Sequence, residues 1–220
     1  MGTDFTQESR SDVVASWMVM EATHGRSVDP AADPDRYRRY LLAALGDDDP
    51  AVAQTTTIGA LRELVAEAGD ALRRRPRPTE WSVLECIGHI VDGEVVAAAR
   101  YRWIVAQDEP ELVGYDQDRW VARLHHAEAD PDSLLDLFAA LRTVNVQLWR
   151  RLPAQDRARI GMHRERGPES YELTFRLIAG HDRVHLAQAR DTLAAVRSSD
   201  GDHRSLAPRS GSGVTQPSGA

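Results

Sequence analysis

Apolar residues recur along this chain at helical intervals, and no comparable run of alternating apolar residues marks a strand. Tyr37, Tyr40, Leu41 and Ala44 give a short helix. Ile58, Leu61, Leu64, Val65, Ala68 and Leu72 hold the i, i+3, i+4 spacing until Pro76 and Pro78 end it. Thr79 is placed to cap a long helix over residues 80 to about 107, with Leu84, Ile87, Val91 and Val95 among its apolar positions. Asp130-Pro131-Asp132 opens another helix, carrying Leu134, Leu135, Phe138, Leu141, Val144, Val146 and Leu148. Pro131 suits its first turn and Pro153 stops it. A last helix, capped by Ser170, runs to about residue 195. Four long helices joined by loops predict an all-α protein, a four-helix bundle. The loop over residues 108–130 is longer than a bundle needs, and long loops often form the mouth of a site.

The ends read differently. Residues 1–34 form a flexible N-terminal extension that closes on the linker-like Asp29-Pro-Ala-Ala-Asp-Pro-Asp35. The bundle occupies residues 35–196. Residues 197–220 are rich in Ser, Gly, Asp and Pro and cannot bury enough apolar surface to offset chain entropy, so they predict a disordered tail.

Composition narrows the function. A hydrophobic content of 42% with 28% charged residues fits a soluble globular domain, and no apolar run approaches the ~20 residues that span a bilayer. The stretch Val13–Met20 contains Ser16, is ringed by Asp4, Glu8 and Asp12, and lacks the basic start of a signal peptide, which predicts a cytoplasmic protein. A net charge of −7 repels phosphate backbones. The one dense basic run, Arg73-Arg74-Arg75-Pro76-Arg77, falls where a helix ends and fits capping of the helix dipole. The expected partner is therefore a small-molecule substrate, not nucleic acid or a membrane, with a homodimer as the assembly allowed. All 27 basic residues are arginine, as GC-rich coding produces. Cys86 is the only cysteine, which excludes an internal disulfide and a cysteine-rich zinc site. Any metal must rest on histidine and carboxylate.

His181-Asp-Arg-Val-His185 places two imidazoles one turn apart on one helical face, where they can share a metal. Such a pair also arises as two unrelated histidines. Here Thr174, Leu177, Gln188 and Thr192 extend the same stripe, too polar for a core seam and flanked by apolar Ile178 and Val184, as in a lined cavity. His89, on the inward face of the 80–107 helix, becomes the third candidate ligand. Three neutral imidazoles leave coordination positions open for water or substrate, the catalytic pattern. Glu85 and Asp92 are either acceptors for the His89 N–H or ordinary solvated carboxylates. Cys86 reads as a buried core residue before a nucleophile, and His125-His126 as solvated. The zinc-protease string His-Glu-x-x-His is not met, because Asp182 stands where its glutamate should be. The di-iron Glu-x-x-His pairs are not met either.

The strings Glu80-Trp81-Ser82-Val83-Leu84-Glu85-Cys86-Ile87-Gly88-His89 and Gly180-His181-Asp182-Arg183-Val184-His185-Leu186-Ala187-Gln188, supported by Gly114-Tyr115-Asp116-Gln117-Asp118 and Gly161-Met162-His163-Arg164-Glu165-Arg166-Gly167, resemble the DinB/YfiT-like metalloenzyme superfamily. The resemblance covers about residues 35–196. It implies an up-down-down-up four-helix bundle binding one divalent metal, Zn2+ or Ni2+, through His89, His181 and His185. His163 lies in one of the supporting strings, and as a loop group it is a candidate substrate contact or proton shuttle, with loop packing as the alternative. Characterised relatives in that family look like thiol-dependent transferases and isomerases using mycothiol, bacillithiol or glutathione, and many members have no known activity.

The functional expectation is a metal-dependent enzyme, a thiol S-transferase or a related hydrolase, with a low-molecular-weight thiol as possible second cofactor. The alternative is a non-catalytic metal- or ligand-binding bundle. An open metal position beside a cleft would favour the enzyme, and a sealed site the binding module.

Overall fold

The computed structural model describes residues 32–205 of the chain. The expected N-terminal extension up to residue 31, and residues 206–220 of the expected tail, lie outside that range. Seven α-helices account for most of the described residues: α1 Pro34–Leu45, α2 Pro50–Ala68, α3 Val83–Ala106, α4 Gln117–Arg123, α5 Pro131–Arg151, α6 Ala154–Arg157 and α7 Tyr171–Ser205. Helix α7 continues past Arg197, where the sequence predicts a tail. Once a helix is nucleated, each added residue gains a backbone bond, and Ser198 and Ser199 also donate back to Ala194 O and Ala195 O. No helix among the described residues is long and apolar enough to cross a membrane.

Short polar side chains start the helices. Asp33, Asp49, Asp116 and Asp130 each accept from an amide in the first turn that follows. Ser170 Oγ accepts from the Leu173 amide at 3.0 Å to open α7, as expected. Helix α3 differs from expectation. Its cap is Ser82, not Thr79, because Ser82 and Glu85 form a reciprocal capping box.

Contacts along the long helices fix the topology. Thr57 of α2 meets Asp182 of α7 and Gln54 meets the Phe175 carbonyl, so the two run parallel. Helix α3 runs against α7, with His89 beside His185 and Tyr101 beside Tyr171. Helices α3 and α5 run parallel: Leu84 and Ile87 share a core with Leu135 and Phe138, whereas Tyr101 and Ile104 share one with Val146 and Trp149. The order α2, α3, α5, α7 is therefore up-down-down-up. The long connection between α3 and α5 is what two consecutive parallel helices require. Helix α1 packs on α7, where the Gly180 backbone abuts the Leu41 carbonyl.

The core comes in two apolar ends separated by a polar layer. One end holds Leu61, Leu84, Ile87, Phe138 and Leu193. The other is aromatic, with Trp149 stacked on Phe175 at 4.3 Å and Tyr101 against Tyr171 at 5.0 Å. Between them lies a buried ionic network. Arg142 reaches Asp182 Oδ2 at 2.6 Å and Glu94 Oε2 at 2.9 Å, Thr57 donates to Asp182, and Asn145 donates to Glu94.

A small sheet, absent from the sequence expectation, covers one end of the bundle. Strands β1 Glu111–Leu112, β2 Ile160–His163 and β3 Gly167–Ser170 lie in that order, β1 parallel to β2 and β2 antiparallel to β3. Strand β2 alternates exposed and buried, but its buried positions are Gly161 and His163, so hydrophobicity does not reveal the period.

Candidate metal centre

Helix α3 supplies His89 and α7 supplies His181 and His185, one turn apart. The Nε2 atoms of His181 and His185 lie 3.0 and 3.2 Å from His89 Nε2, and the three nitrogens form one cluster. The rings are buried, with 2%, 7% and 7% exposure for His89, His181 and His185. Gly93, one turn after His89, makes the approach possible, since a Cβ there would stand 3.1 Å from His181 Cε1.

The donor set fits a divalent cation. His185 Nδ1 lies 2.7 Å from Gln188 Oε1, which makes Nδ1 the donor and leaves its Nε2 lone pair facing the cluster. His89 Nδ1 and His181 Nδ1 are buried without a partner. Three mutually facing nitrogens cannot all be satisfied by one another, whereas one cation accepts all three lone pairs. Burial lowers the pKa of each ring, well below the usual value for His89 and His181, and the neighbouring imidazoles add to the effect at those two. The rings are thus neutral, the form that binds metals.

A cavity of about 80 Å3 reaches His89 and His181, room for roughly half a dozen waters. Tyr115 lies on its wall, 6.3 Å from the His89 ring, and Trp81 packs against that ring at 5.1 Å. Leu41, Leu177 and Ile178 make an apolar flank, and Arg100, Arg166 and Glu169 a charged one. Glu169 is fully buried and accepts from Arg166 Nε and Nη2 at 2.7 and 3.0 Å. Burial would raise its carboxyl, but those bonds and the Arg166 charge hold it below the usual range.

Several sequence-based readings change. Glu85 and Asp92 do not meet His89. Glu85 is tied to Arg75 and to its own capping box, and Asp92 accepts from His126 at 2.7 Å. His126 is therefore buried, at 5% exposure, not solvated, and it packs where Gly88 leaves no side chain; His125 is exposed. The arginine run clamps loops: Arg73 donates to the Ala127 and Ala129 carbonyls. His163 stands behind the cavity wall, 3.2 Å from an Arg100 nitrogen. Burial, then the Arg166 and Arg100 charges, depress its pKa to about 4, so it is neutral; its Nδ1 accepts from the Glu165 amide at 3.2 Å and its ring packs beside Arg100. Cys86 is fully buried, as the sequence predicts, and burial pushes its thiol up to about 12. Arg100 and Glu169 escaped sequence reading, because charged residues on a helix or in a loop ordinarily face water.

The sequence pattern of the DinB superfamily matches residues 53–189, which include all three histidines. The chain belongs to that superfamily. A protein of Oceanobacillus iheyensis provisionally named a metal-dependent hydrolase is 29% identical over 107 residues, 49% of this chain and 62% of that protein. A Bacillus cereus protein with the same provisional name is 25% identical over 107 residues, 49% of this chain and 61% of its own length. The chain thus spans less than two thirds of these relatives. In structure it is similar to YfiT of Bacillus subtilis, described as a candidate metal-dependent hydrolase with an unusual four-helix bundle topology. The TM-score is 0.60 at 20% identity, over 80% of this chain and 92% of that one. That likeness supports the bundle and its helix order.

Proposed function

We propose that His89, His181 and His185 hold one divalent metal ion and that the chain is a metal-dependent hydrolase. The observation that carries this reading is the convergence of three neutral, buried imidazoles at the end of an open cavity. A sealed trio would favour a non-catalytic binding bundle, whereas here two of the three rings face the cavity. A divalent ion held by three histidines supplies a Lewis acid and lowers the pKa of a water it binds to ~7. The chain's own residues do the rest. Trp81 and Tyr115 flank His89 and limit solvent at the centre, and the apolar flank of Leu41, Leu177 and Ile178 receives the substrate's carbon skeleton. The names of the sequence relatives point the same way.

A second reading, transfer to a low-molecular-weight thiol such as mycothiol or bacillithiol, has one observation in its favour. Cys86, the single cysteine, is buried and protonated, so any thiolate must come from a cosubstrate. Imidazole ligands suit Zn2+ and Ni2+ alike. Elemental analysis of the metal-loaded, buffer-exchanged protein tests the core of the proposal. About one ion per chain is expected, with loss in His181→Ala. Wild-type protein that retains no metal refutes it. Calorimetry with mycothiol, bacillithiol and glutathione, set beside an ester and amide hydrolysis screen, separates the two readings.

A further inference from the structure

We infer that the cavity beside the histidine cluster takes a substrate bearing a carboxylate, and that Arg100 is the residue that recognises it. This rests on the reading of that cavity as a substrate site and adds the substrate's chemical class.

Arg100 projects from α3, three turns after His89, and lines the same cavity as His89 and His181. It is 7% exposed. Its Nη2 donates to the Val113 carbonyl at 2.6 Å and lies 3.2 Å from His163 Nε2, and both partners are neutral. Its Nε is buried with no partner. No carboxylate among the described residues forms an ion pair with it. The nearby buried carboxylate, Glu169, is already bonded by Arg166 and approached by Arg38 at 3.4 Å. The other carboxylate on the wall, Glu165, is exposed and rests against Gly114.

A guanidinium taken out of water without a counterion is costly, and natural interiors pair such charges. Arg166 shows the paired arrangement on the same wall. Arg100 keeps its cation, bonded to one carbonyl and set beside one neutral imidazole, and its Nη1 makes no hydrogen bond to any described residue. Guanidinium donors match carboxylate oxygens in geometry and charge. A carboxylate entering the cavity completes the set, and the substrate then spans from Arg100 to the histidine cluster. The apolar residues between select a short hydrocarbon body. His163 is a positioning residue, since it touches Arg100 and not the cavity.

The test uses benzoate and its neutral isostere benzamide with the full chain as purified, read by saturation-transfer NMR and by shift of the melting temperature. Metal content is measured on the same samples. Wild-type protein is expected to bind benzoate at least tenfold more tightly than benzamide. Arg100→Gln should lose that preference at unchanged metal content, and Arg100→Lys, which keeps the charge and loses the fork, should retain part of it. Equal binding of the two probes by wild type overturns the assignment. So does an undiminished preference for benzoate in Arg100→Gln, or in Arg100→Lys if the glutamine variant does not fold. Failure of the metal proposal would show instead as absent metal in the wild-type samples, whatever the probes do.

Discussion

Arg142→Met isolates the buried ionic layer on which the histidine cluster depends. Arg142 is 3% exposed and sits between Glu94 and Asp182, themselves 1% and 2% exposed. It bonds Asp182 at 2.6 Å and lies 2.9 Å from Glu94 as a close ion pair without hydrogen-bond alignment. Methionine fills much of the same stem volume, so the change removes the charge more than the packing. Removing one partner of a buried pair costs about 3–5 kcal/mol, because the partner charge is left uncompensated. At about 2–4 °C per kcal/mol for a domain this size, the melting temperature should fall by roughly 6–20 °C. Urea and thermal unfolding followed by circular dichroism measure the free-energy loss and the temperature shift. The pH dependence carries a second check. Burial already raises the Glu94 pKa in spite of the Arg142 charge that opposes it. Without Arg142 it rises further above the unfolded value. A carboxyl with a raised folded pKa destabilises at neutral pH, and the cost fades as pH falls through that folded pKa toward the unfolded one. The stability gap between variant and wild type should therefore narrow from pH 7 toward pH 5, and Glu94→Gln should recover part of it. A loss under about 1 kcal/mol, or a gap that widens in acid, would refute the account of a dry, mutually compensated layer.

Two further outcomes are expected. Gly93→Ala places a methyl 3.1 Å from His181 Cε1 and should weaken metal binding by about tenfold or more, as outer-shell disturbance of a ligand does, while the helix-propensity gain keeps the fold; unchanged affinity in a metal-competition titration would count against the packing described. Cys86, fully buried with its thiol pushed up to about 12, should resist iodoacetamide at pH 8 in the native state and react only after unfolding, and prompt native alkylation in a mass-spectrometric time course would overturn that.

The helices and the triad were legible for related reasons. Apolar spacing marked α1, α2, α3 and α5, and Asp130 and Ser170 announced the starts of α5 and α7. His181 and His185 were readable as a pair because four residues make one turn, and His89 because it lies among apolar neighbours on another long helix. What escaped depends on contacts distant in sequence. Glu85 could not be assigned to Arg75, nor Asp92 to His126, because those partners sit in irregular segments whose position only the fold determines. Strand β2 hid its alternation behind Gly161 and His163. Arg100 reads as an ordinary helix charge until β1, β2 and the segment around Val113 close over it, and that closure makes it the unpaired cation of the cavity wall.

The string from Gly180 to Arg183 shows why the two ligands of α7 come with these neighbours. Gly180 lets α1 approach until the Leu41 carbonyl lies where a Cβ would be, 2.0 Å away. His181 turns toward His89. Asp182 enters the buried layer and binds Arg142 and Thr57. Arg183 swings outward and caps the end of α1 through the Ala44 and Leu45 carbonyls at 3.1 and 2.9 Å, groups that a helix terminus leaves without partners. Successive residues about 100° apart around the helix thus tie α7 to α1, α3, α5 and α2 at one level. A three-nitrogen site tolerates little play, since ligands must be held to about half an ångström. Changes at Asp182 or Arg183 therefore reach the cluster by letting α7 shift, whereas a change at His181 removes a donor outright. The first kind should weaken metal binding in proportion to lost stability, and the second should abolish it in a protein that still folds.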